Sequence, residues 1–148
     1  MKRLSFIALS LLISSSVFSQ ILAPVKWTFT SKKISKTEAV IYLTAAIEKG
    51  WHIYSQTVPE GGPIATSFKF SPSSVYSVAG KTIEPKPITK FEKSFNMNVN
   101  YFENKVVFQQ KVKIVSSQPT IKGKLEFMVC SNSKCLPPDE ISFAIPVK

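Results

Sequence analysis

The chain has 148 residues, of which 44% are hydrophobic and 19% charged, and its 19 Lys and Arg residues against 9 Asp and Glu residues give a formal net charge of +10. This length and composition fit one folded domain and exclude wholesale disorder. Two cysteines, one histidine and one arginine, Arg3, are too few for a four-ligand Cys/His zinc site, a multi-disulfide scaffold or bidentate arginine contacts to bases, so we expect no metal, no cofactor and no nucleic-acid partner.

Residues 1–19 have the pattern of a signal peptide. Met1-Lys2-Arg3 is a short basic start, and the segment 4–13 is mostly apolar. This run of about ten residues is shorter than the roughly 20 that a membrane-spanning helix needs. Small residues then precede an expected cleavage after Ser19. We therefore expect residues 20–148 to be exported or secreted and to have no membrane span after cleavage.

Cleavage would remove Lys2 and Arg3 and lower the formal charge from +10 to +8, which leaves lysine as the only strong cation. The lysines are spread from Lys26 to Lys148 without a dense run, as is typical of a solvated surface. Binding to anionic lipid, to an anionic polymer of the envelope or to an acidic partner is the weaker alternative.

Apolar and polar residues alternate in several segments after the expected cleavage site, which is the pattern of half-buried strands. In chain order, the expected strands cover residues 26–30, 40–47, 51–54, 66–70, 76–81, 98–101, 106–114, 121–130 and 141–145. Proline and glycine clusters such as 59–63 and 85–87 separate them. Short strands at this density predict that residues 20–148 form a single all-β domain, an immunoglobulin-like β-sandwich.

The two cysteines flank a predicted turn near the end of the chain. Cys130 ends a strand, the Ser-Asn-Ser segment 131–133 is turn-prone, and Pro137-Pro138 stops strand pairing after Cys135. Export to an oxidising compartment favours a Cys130–Cys135 disulfide at the tip between neighbouring strands. The alternation places Cys130 on the outer face of its strand, together with Lys122, so we expect this disulfide to lie towards the surface.

A disulfide of this kind has two possible roles. A closed loop of six residues stabilises a fold by only about 2 kcal/mol in the chain-entropy account, so it is a weak staple. A local disulfide at the surface is open to attack by a partner thiolate. The residues alone leave both a structural staple and a redox pair open.

The segment Cys-x4-Cys-Leu-Pro-Pro-Asp-Glu resembles the cysteine motif of the N-terminal periplasmic domain of DsbD, the thiol:disulfide interchange protein. Gly50-Trp51-His52-Ile53-Tyr54 is similar to a Gly-aromatic-x-aliphatic-Tyr strand of that family, and the segment 90–97 resembles its loop with a cap phenylalanine. The resemblance covers roughly residues 25–148. The best-known members have five residues between the cysteines, whereas this chain has four. Without the transmembrane and thioredoxin-like domains of full DsbD, the chain looks like the isolated domain or a stand-alone disulfide bond corrector protein.

This resemblance implies reversible dithiol–disulfide exchange in the periplasm. Electrons would come from a thioredoxin-like or membrane-bound donor and pass to exported proteins, including isomerases and factors of cytochrome c maturation. In the resembling family the second cysteine bonds to partners, which implies this role for Cys135 and a resolving role for Cys130. It also implies a cap that controls access to the disulfide, formed by Phe95 with Asn96 and Met97. The alternative for Phe95 is a role as a core residue.

Several further side chains are candidates for the partner surface or for proton transfer. They are Trp51, Tyr54, Tyr101, Pro137, Asp139 and Glu140. For the three aromatic residues a core role is equally open, and Asp139 with Glu140 can also be a solvated pair after the turn. His52 is expected to be an edge residue and not a base. The competing function is a non-catalytic secreted β-sandwich that binds a ligand and carries a structural disulfide, and the sequence gives no oligomeric state.

Overall fold

A computed structural model describes residues 22–115 and 117–148, so the expected signal peptide, residues 1–19, lies outside the described residues. The described part of the chain forms eleven β-strands and no helix. The strands are Val25–Lys33 (β1), Glu38–Ile47 (β2), Trp51–Tyr54 (β3), Ser67–Phe70 (β4), Tyr76–Ile83 (β5), Ile88–Glu92 (β6), Met97–Glu103 (β7), Lys105–Ile114 (β8), Thr120–Phe127 (β9), Val129–Ser131 (β10) and Asp139–Pro146 (β11). None of the described residues belongs to a helix that could cross a membrane.

The strands form three antiparallel sheets. The first sheet has the order β1-β2-β8-β5, the second β10-β3-β7-β6, and the third β11-β9-β4. The longest pairings are those of β2 with β1 and with β8, where both faces follow the period-two pattern of the sequence. The predicted all-β, immunoglobulin-like sandwich is confirmed.

One hydrophobic core joins all three sheets. The inward residues of β2 and β8, such as Leu43 and Phe108, pack with Ile53 of the second sheet and Leu125 of the third. The ring of Trp27 on β1 lies 6.0 Å from that of Phe108, measured between centroids. The core therefore lies between the first sheet on one side and the second and third sheets on the other.

The second sheet is apolar on both faces, and this positions the cysteines. Ile53 and Phe102 point into the main core. On the opposite face, Tyr54, Val99, Tyr101 and Cys130 form a second, smaller cluster, against which Val58, Met97 and Met128 pack. We call this set of seven residues the cysteine cluster.

The sequence pattern missed two strands. No strand was expected over residues 88–92, and the segment 90–97 was expected to be a loop, but residues 88–92 form β6 and pair with β7. The strand expected over 121–130 is interrupted at Met128, and its end forms β10, which pairs with β3 and not with β11. The chain thus leaves the third sheet after Phe127 and joins the edge of the second sheet just where Cys130 lies.

Candidate functional site

The two cysteines form a disulfide across a tight turn. Their Cα atoms are 4.0 Å apart, and the two residues make an isolated antiparallel bridge. Ser131 fixes the turn between them, because its backbone N–H donates to the Lys134 carbonyl at 2.7 Å and its hydroxyl accepts from the Lys134 N–H at 3.2 Å. Leu136 then donates to the Val129 carbonyl at 2.9 Å. The predicted disulfide at a strand tip is present.

The two ends of the disulfide have different surroundings. Cys135 is exposed, whereas Cys130 is 1% exposed. The expectation that Cys130 lies towards the surface is therefore wrong. The alternation gave the correct side of the strand, but this side is covered by the cysteine cluster. The sequence pattern could not show that the second sheet is buried on both faces at this point.

The cysteine cluster contains two tyrosines, each with a hydroxyl group at the end of its ring. Tyr54 is fully buried and Tyr101 is 7% exposed, so both contribute to this cluster and little to the outer surface. Burial, assisted by Glu92, raises the pKa of Tyr54 to about 12, and burial also raises the pKa of Tyr101. Both phenols therefore stay protonated at physiological pH and can donate hydrogen bonds.

His52 is part of the same face, which the sequence did not predict. It lies in β3, an interior strand between β10 and β7, and it is 4% exposed. The expectation of an edge residue is wrong. Its Nε2 is 3.3 Å from the hydroxyl of Tyr54 and 4.0 Å from a carboxylate oxygen of Glu92. The signal in the sequence was the spacing of His52 and Tyr54, which share one face of a strand.

The segment that resembles the cap loop is a β-hairpin. Only residues 93–96 form the turn between β6 and β7, closed by a hydrogen bond from the Phe95 N–H to the Glu92 carbonyl at 3.2 Å. Asn96 has a φ of 53°, a left-handed conformation that asparagine tolerates. Phe95 is half-buried and Met97 packs against the cysteine cluster.

Two contacts connect this hairpin to neighbouring segments, one of them the cysteine turn. The Lys90 ammonium on β6 donates to the Asn132 side-chain oxygen in the cysteine turn at 3.2 Å. The loop after β3 packs closely on Met97, because a Cβ at Gly62 would lie 3.0 Å from the Met97 sulfur. The hairpin is thus tied to the turn that carries Cys135.

The remaining candidates belong to three different surroundings. Trp51 is half-buried, with the Lys134 ammonium 5.9 Å from its ring centroid. Pro137 and Asp139 line a shallow, largely apolar groove together with Leu22, Pro24, Phe127, Val129 and Leu136. The Glu140 carboxylate accepts a hydrogen bond from Lys124 at 2.6 Å, which lowers the pKa of Glu140. This ion pair is exposed and favours the solvated surface role for Glu140.

Within residues 22–115 and 117–148, no three His, Cys, Asp or Glu side chains converge in a way that could hold a metal ion. The described site contains the disulfide and, next to Cys130, the two tyrosines of the cysteine cluster and His52, whose Nε2 lies 4.0 Å from a carboxylate oxygen of Glu92.

Comparison with known proteins identifies one family. The family described as "Thiol:disulfide interchange protein DsbD, N-terminal" matches residues 19–146. No relative was found among the curated proteins.

Several solved structures share the fold. The reduced N-terminal domain of DsbD from Neisseria meningitidis has a TM-score of 0.55 and 16% identity over 79% of this chain and 82% of that chain. The complex between the DsbD N-terminal and the PilB N-terminal domains from the same organism gives 0.54 and 14%, over 84% and 87%. The N-terminal periplasmic domain of ScsB from Proteus mirabilis gives 0.55 and 22%, over 83% of this chain and 44% of that chain.

Proposed function

Because the chain belongs to the family of the N-terminal domain of the thiol:disulfide interchange protein DsbD, we propose that its Cys130–Cys135 disulfide is a redox pair that passes electrons to exported proteins. One observation carries the proposal: the disulfide closes a turn of six residues, in which Cys135 is exposed and Cys130 is buried. A bond that closes so short a loop stabilises the fold little, whereas its exposed end is accessible to a partner thiolate.

The exchange takes place in two displacements. A donor thiolate attacks the Cys135 sulfur, a mixed disulfide forms, and the Cys130 sulfur leaves with the electron pair and takes up a proton. The second donor thiol then attacks the mixed disulfide and releases the reduced Cys130–Cys135 pair. The reverse sequence on an oxidised protein transfers the two electrons onward. The exposure of Cys135 supports its assignment as the partner-bonding cysteine, with Cys130 as the resolving cysteine.

The β6–β7 hairpin is the proposed cap. Phe95, Asn96 and Met97 lie in or next to its turn, and Lys90 ties it to the cysteine turn through Asn132. A half-buried phenylalanine at such a turn can restrict small thiols and still yield to a protein that displaces it. This role of Phe95 rests on the family resemblance and on the tie between hairpin and cysteine turn.

A protein partner would dock around the exposed sulfur. The groove beside Pro137 and Asp139 is lined mainly by apolar side chains, and the half-buried Trp51 lies next to Lys134 of the cysteine turn. Aromatic and apolar groups near a reactive centre are typical of protein-binding surfaces. The solved DsbD–PilB complex supports a protein domain as partner, and we propose a thioredoxin-like protein as donor or acceptor and a membrane protein as the ultimate electron source.

The proposed location is the periplasm, reached by cleavage of the signal peptide after Ser19 and with residues 20–148 as the mature domain. The signal pattern of the first 19 residues and the periplasmic ScsB domain with the same fold support it. The mass of the N-terminal peptide of protein recovered from the periplasm tests it, and a mature chain that still contains residues 1–19 would contradict it.

The reduction potential of the Cys130–Cys135 pair tests the function. Mature protein is equilibrated in graded thiol–disulfide buffers, alkylated and weighed by mass spectrometry. A potential between about −180 and −270 mV matches known exchange proteins and supports a redox pair. A potential below about −300 mV indicates a structural bond and would replace this proposal with a secreted β-sandwich that only binds a ligand.

A further inference from the structure

His52 lies opposite Cys130, the buried cysteine of the disulfide, on the neighbouring strand. In the pairing of β3 with β10, His52 is opposite Cys130. Residues opposite each other on antiparallel strands put their side chains on the same face, with Cβ atoms about 4.5 to 5.5 Å apart. Both residues are buried, at 4% and 1% exposure. The imidazole is therefore an ionisable neighbour of Cys130 in a place that water hardly reaches.

Titratable groups from all adjoining strands face the imidazole. The Tyr54 hydroxyl is 3.3 Å from Nε2, and the Tyr101 ring packs against the imidazole with 5.0 Å between centroids. Charged side chains surround these contacts: Glu92 and Lys90 on β6 and Glu103 on β7.

The surroundings of His52 act on its pKa in opposite directions. Burial lowers the pKa of His52, Glu92 and Glu103 act in the opposite direction, and Lys90 adds to the lowering. The imidazole is thus mostly neutral at neutral pH. Glu92, whose side chain is 18% exposed, is the nearest carboxylate and connects the imidazole to the surface.

Cys130 needs such a neighbour during exchange. When a partner thiolate attacks Cys135, the Cys130 sulfur leaves as a thiolate in an apolar cluster, where desolvation makes the charged form costly. When Cys130 resolves a mixed disulfide, the same costly thiolate must form before the attack. The phenols of Tyr54 and Tyr101 hold their protons too tightly at physiological pH to accept or give one readily.

We propose that His52 is the proton carrier of Cys130. In the reducing direction, the imidazolium gives its proton to the Cys130 sulfur as the disulfide bond breaks and the bond between Cys135 and the donor forms. In the resolving direction, neutral His52 takes the Cys130 proton, the Cys130 sulfur attacks the Cys135 sulfur, and the partner sulfur leaves with the electron pair. The inference rests on the proposed redox function and adds to it a residue that couples exchange to pH.

A disulfide reagent that releases a coloured thiolate distinguishes the reactions of the two cysteines as two kinetic phases. Reduced protein is mixed with dithiobis-nitrobenzoate, which releases one coloured thiolate when Cys135 attacks it and a second when Cys130 resolves the mixed disulfide. The first phase depends on reagent concentration and the second does not. Cys130→Ser identifies the phases, because it retains the first and lacks the second.

His52→Gln is expected to slow the second phase about 100-fold at neutral pH, the lower end of what a positioned acid–base group contributes, and to leave the first phase unchanged. The wild-type second phase is expected to have an inflection in its pH profile that the variant lacks. Equal second-phase rates and equal pH profiles in the two proteins would overturn the proposal.

A second test uses the wild-type protein alone, so it does not depend on whether a variant folds. The sequence contains one histidine, so one imidazole signal in the NMR spectrum of untagged reduced protein reports the His52 pKa directly. The inflection of the second phase is expected at that pKa, and a second phase that does not respond to pH there would also overturn the proposal. A low reduction potential would contradict the redox function and leave both phases measurable, so the two failures can be told apart.

Discussion

At the scale of single residues, the two cysteines differ in burial, and this difference supports the separate roles proposed for them. Cys135 is exposed and Cys130 is 1% exposed. The sequence predicted the bond from the spacing and the turn residues 131–133. It could not predict the difference in burial, because the groups that cover Cys130 come from β3 and β7, far away in the chain.

Substitution of each cysteine is expected to separate their roles. Cys135→Ser should abolish mixed disulfides with a thioredoxin-like probe protein, because the remaining thiol is buried. Cys130→Ser should make the mixed disulfide accumulate, because no thiol is left to resolve it. Non-reducing gel electrophoresis after acid quenching measures both. The opposite pattern would reverse the assignment.

Phe95→Ala is expected to speed the reaction of the disulfide with a small thiol such as dithiothreitol, because it removes the largest side chain of the proposed cap. The rate is measured under excess thiol, together with the free energy of unfolding. Phe91→Ala is the matched control, since Phe91 lies on the same hairpin with 52% exposure. An unchanged rate for Phe95→Ala at unchanged stability would remove the cap role.

At the scale of elements, the period-two pattern predicted the strands that border the main core. β2 and β8 bury alternate residues, as their sequences indicate, and β3 was predicted with its observed bounds. β6 was missed because none of its five side chains is fully buried, so it lacks the pattern. β10 was not predicted as a separate strand, because the alternation of the two faces in β9 continues into it. A change of pairing partner does not alter this pattern in the sequence.

Gly123→Ala is expected to destabilise the third sheet by about 1 to 3 kcal/mol, the usual cost of overpacking. Gly123 lies in β9, where a Cβ would come 2.5 Å from both the Lys69 carbonyl oxygen and a ring carbon of Phe143. Urea unfolding followed by tryptophan fluorescence measures the loss. Lys122→Ala, on the outward side of the same strand, is the control and should change stability little. Equal stability of both variants would contradict the close approach of β4 and Phe143 to β9.

At the scale of the whole molecule, composition and turn spacing were sufficient to predict a sandwich. The arrangement of three sheets was not predictable, because it depends on which strands pair across long stretches of chain, as β2 does with β8. Long-range pairing within the second sheet likewise brings His52, Glu92 and Cys130 together from three separate segments. The placement of His52 and Glu92 in the candidate site therefore became visible only in the folded chain.

Folding stability is expected to fall as the pH decreases below 6.5, the ordinary pKa of histidine. Burial lowers the pKa of His52 below its ordinary value of 6.5, so the unfolded chain takes up a proton in this range before the folded chain does. The contribution of His52 is complete above 6.5 and is lost below it. Thermal unfolding at a series of pH values measures it, and a His52→Gln variant with the same slope would show that His52 is not its source.

The unequal burial of the two cysteines also limits the number of covalent adducts that the reduced domain can form at one time. Towards any electrophile too large to enter the cysteine cluster, the dithiol should behave as a monothiol, with one adduct on Cys135 and an untouched Cys130. Each molecule can then hold a single disulfide-bonded partner at a time, and it can release an unproductive one unaided, since the free Cys130 thiol can attack the mixed disulfide at Cys135 and expel the partner thiolate.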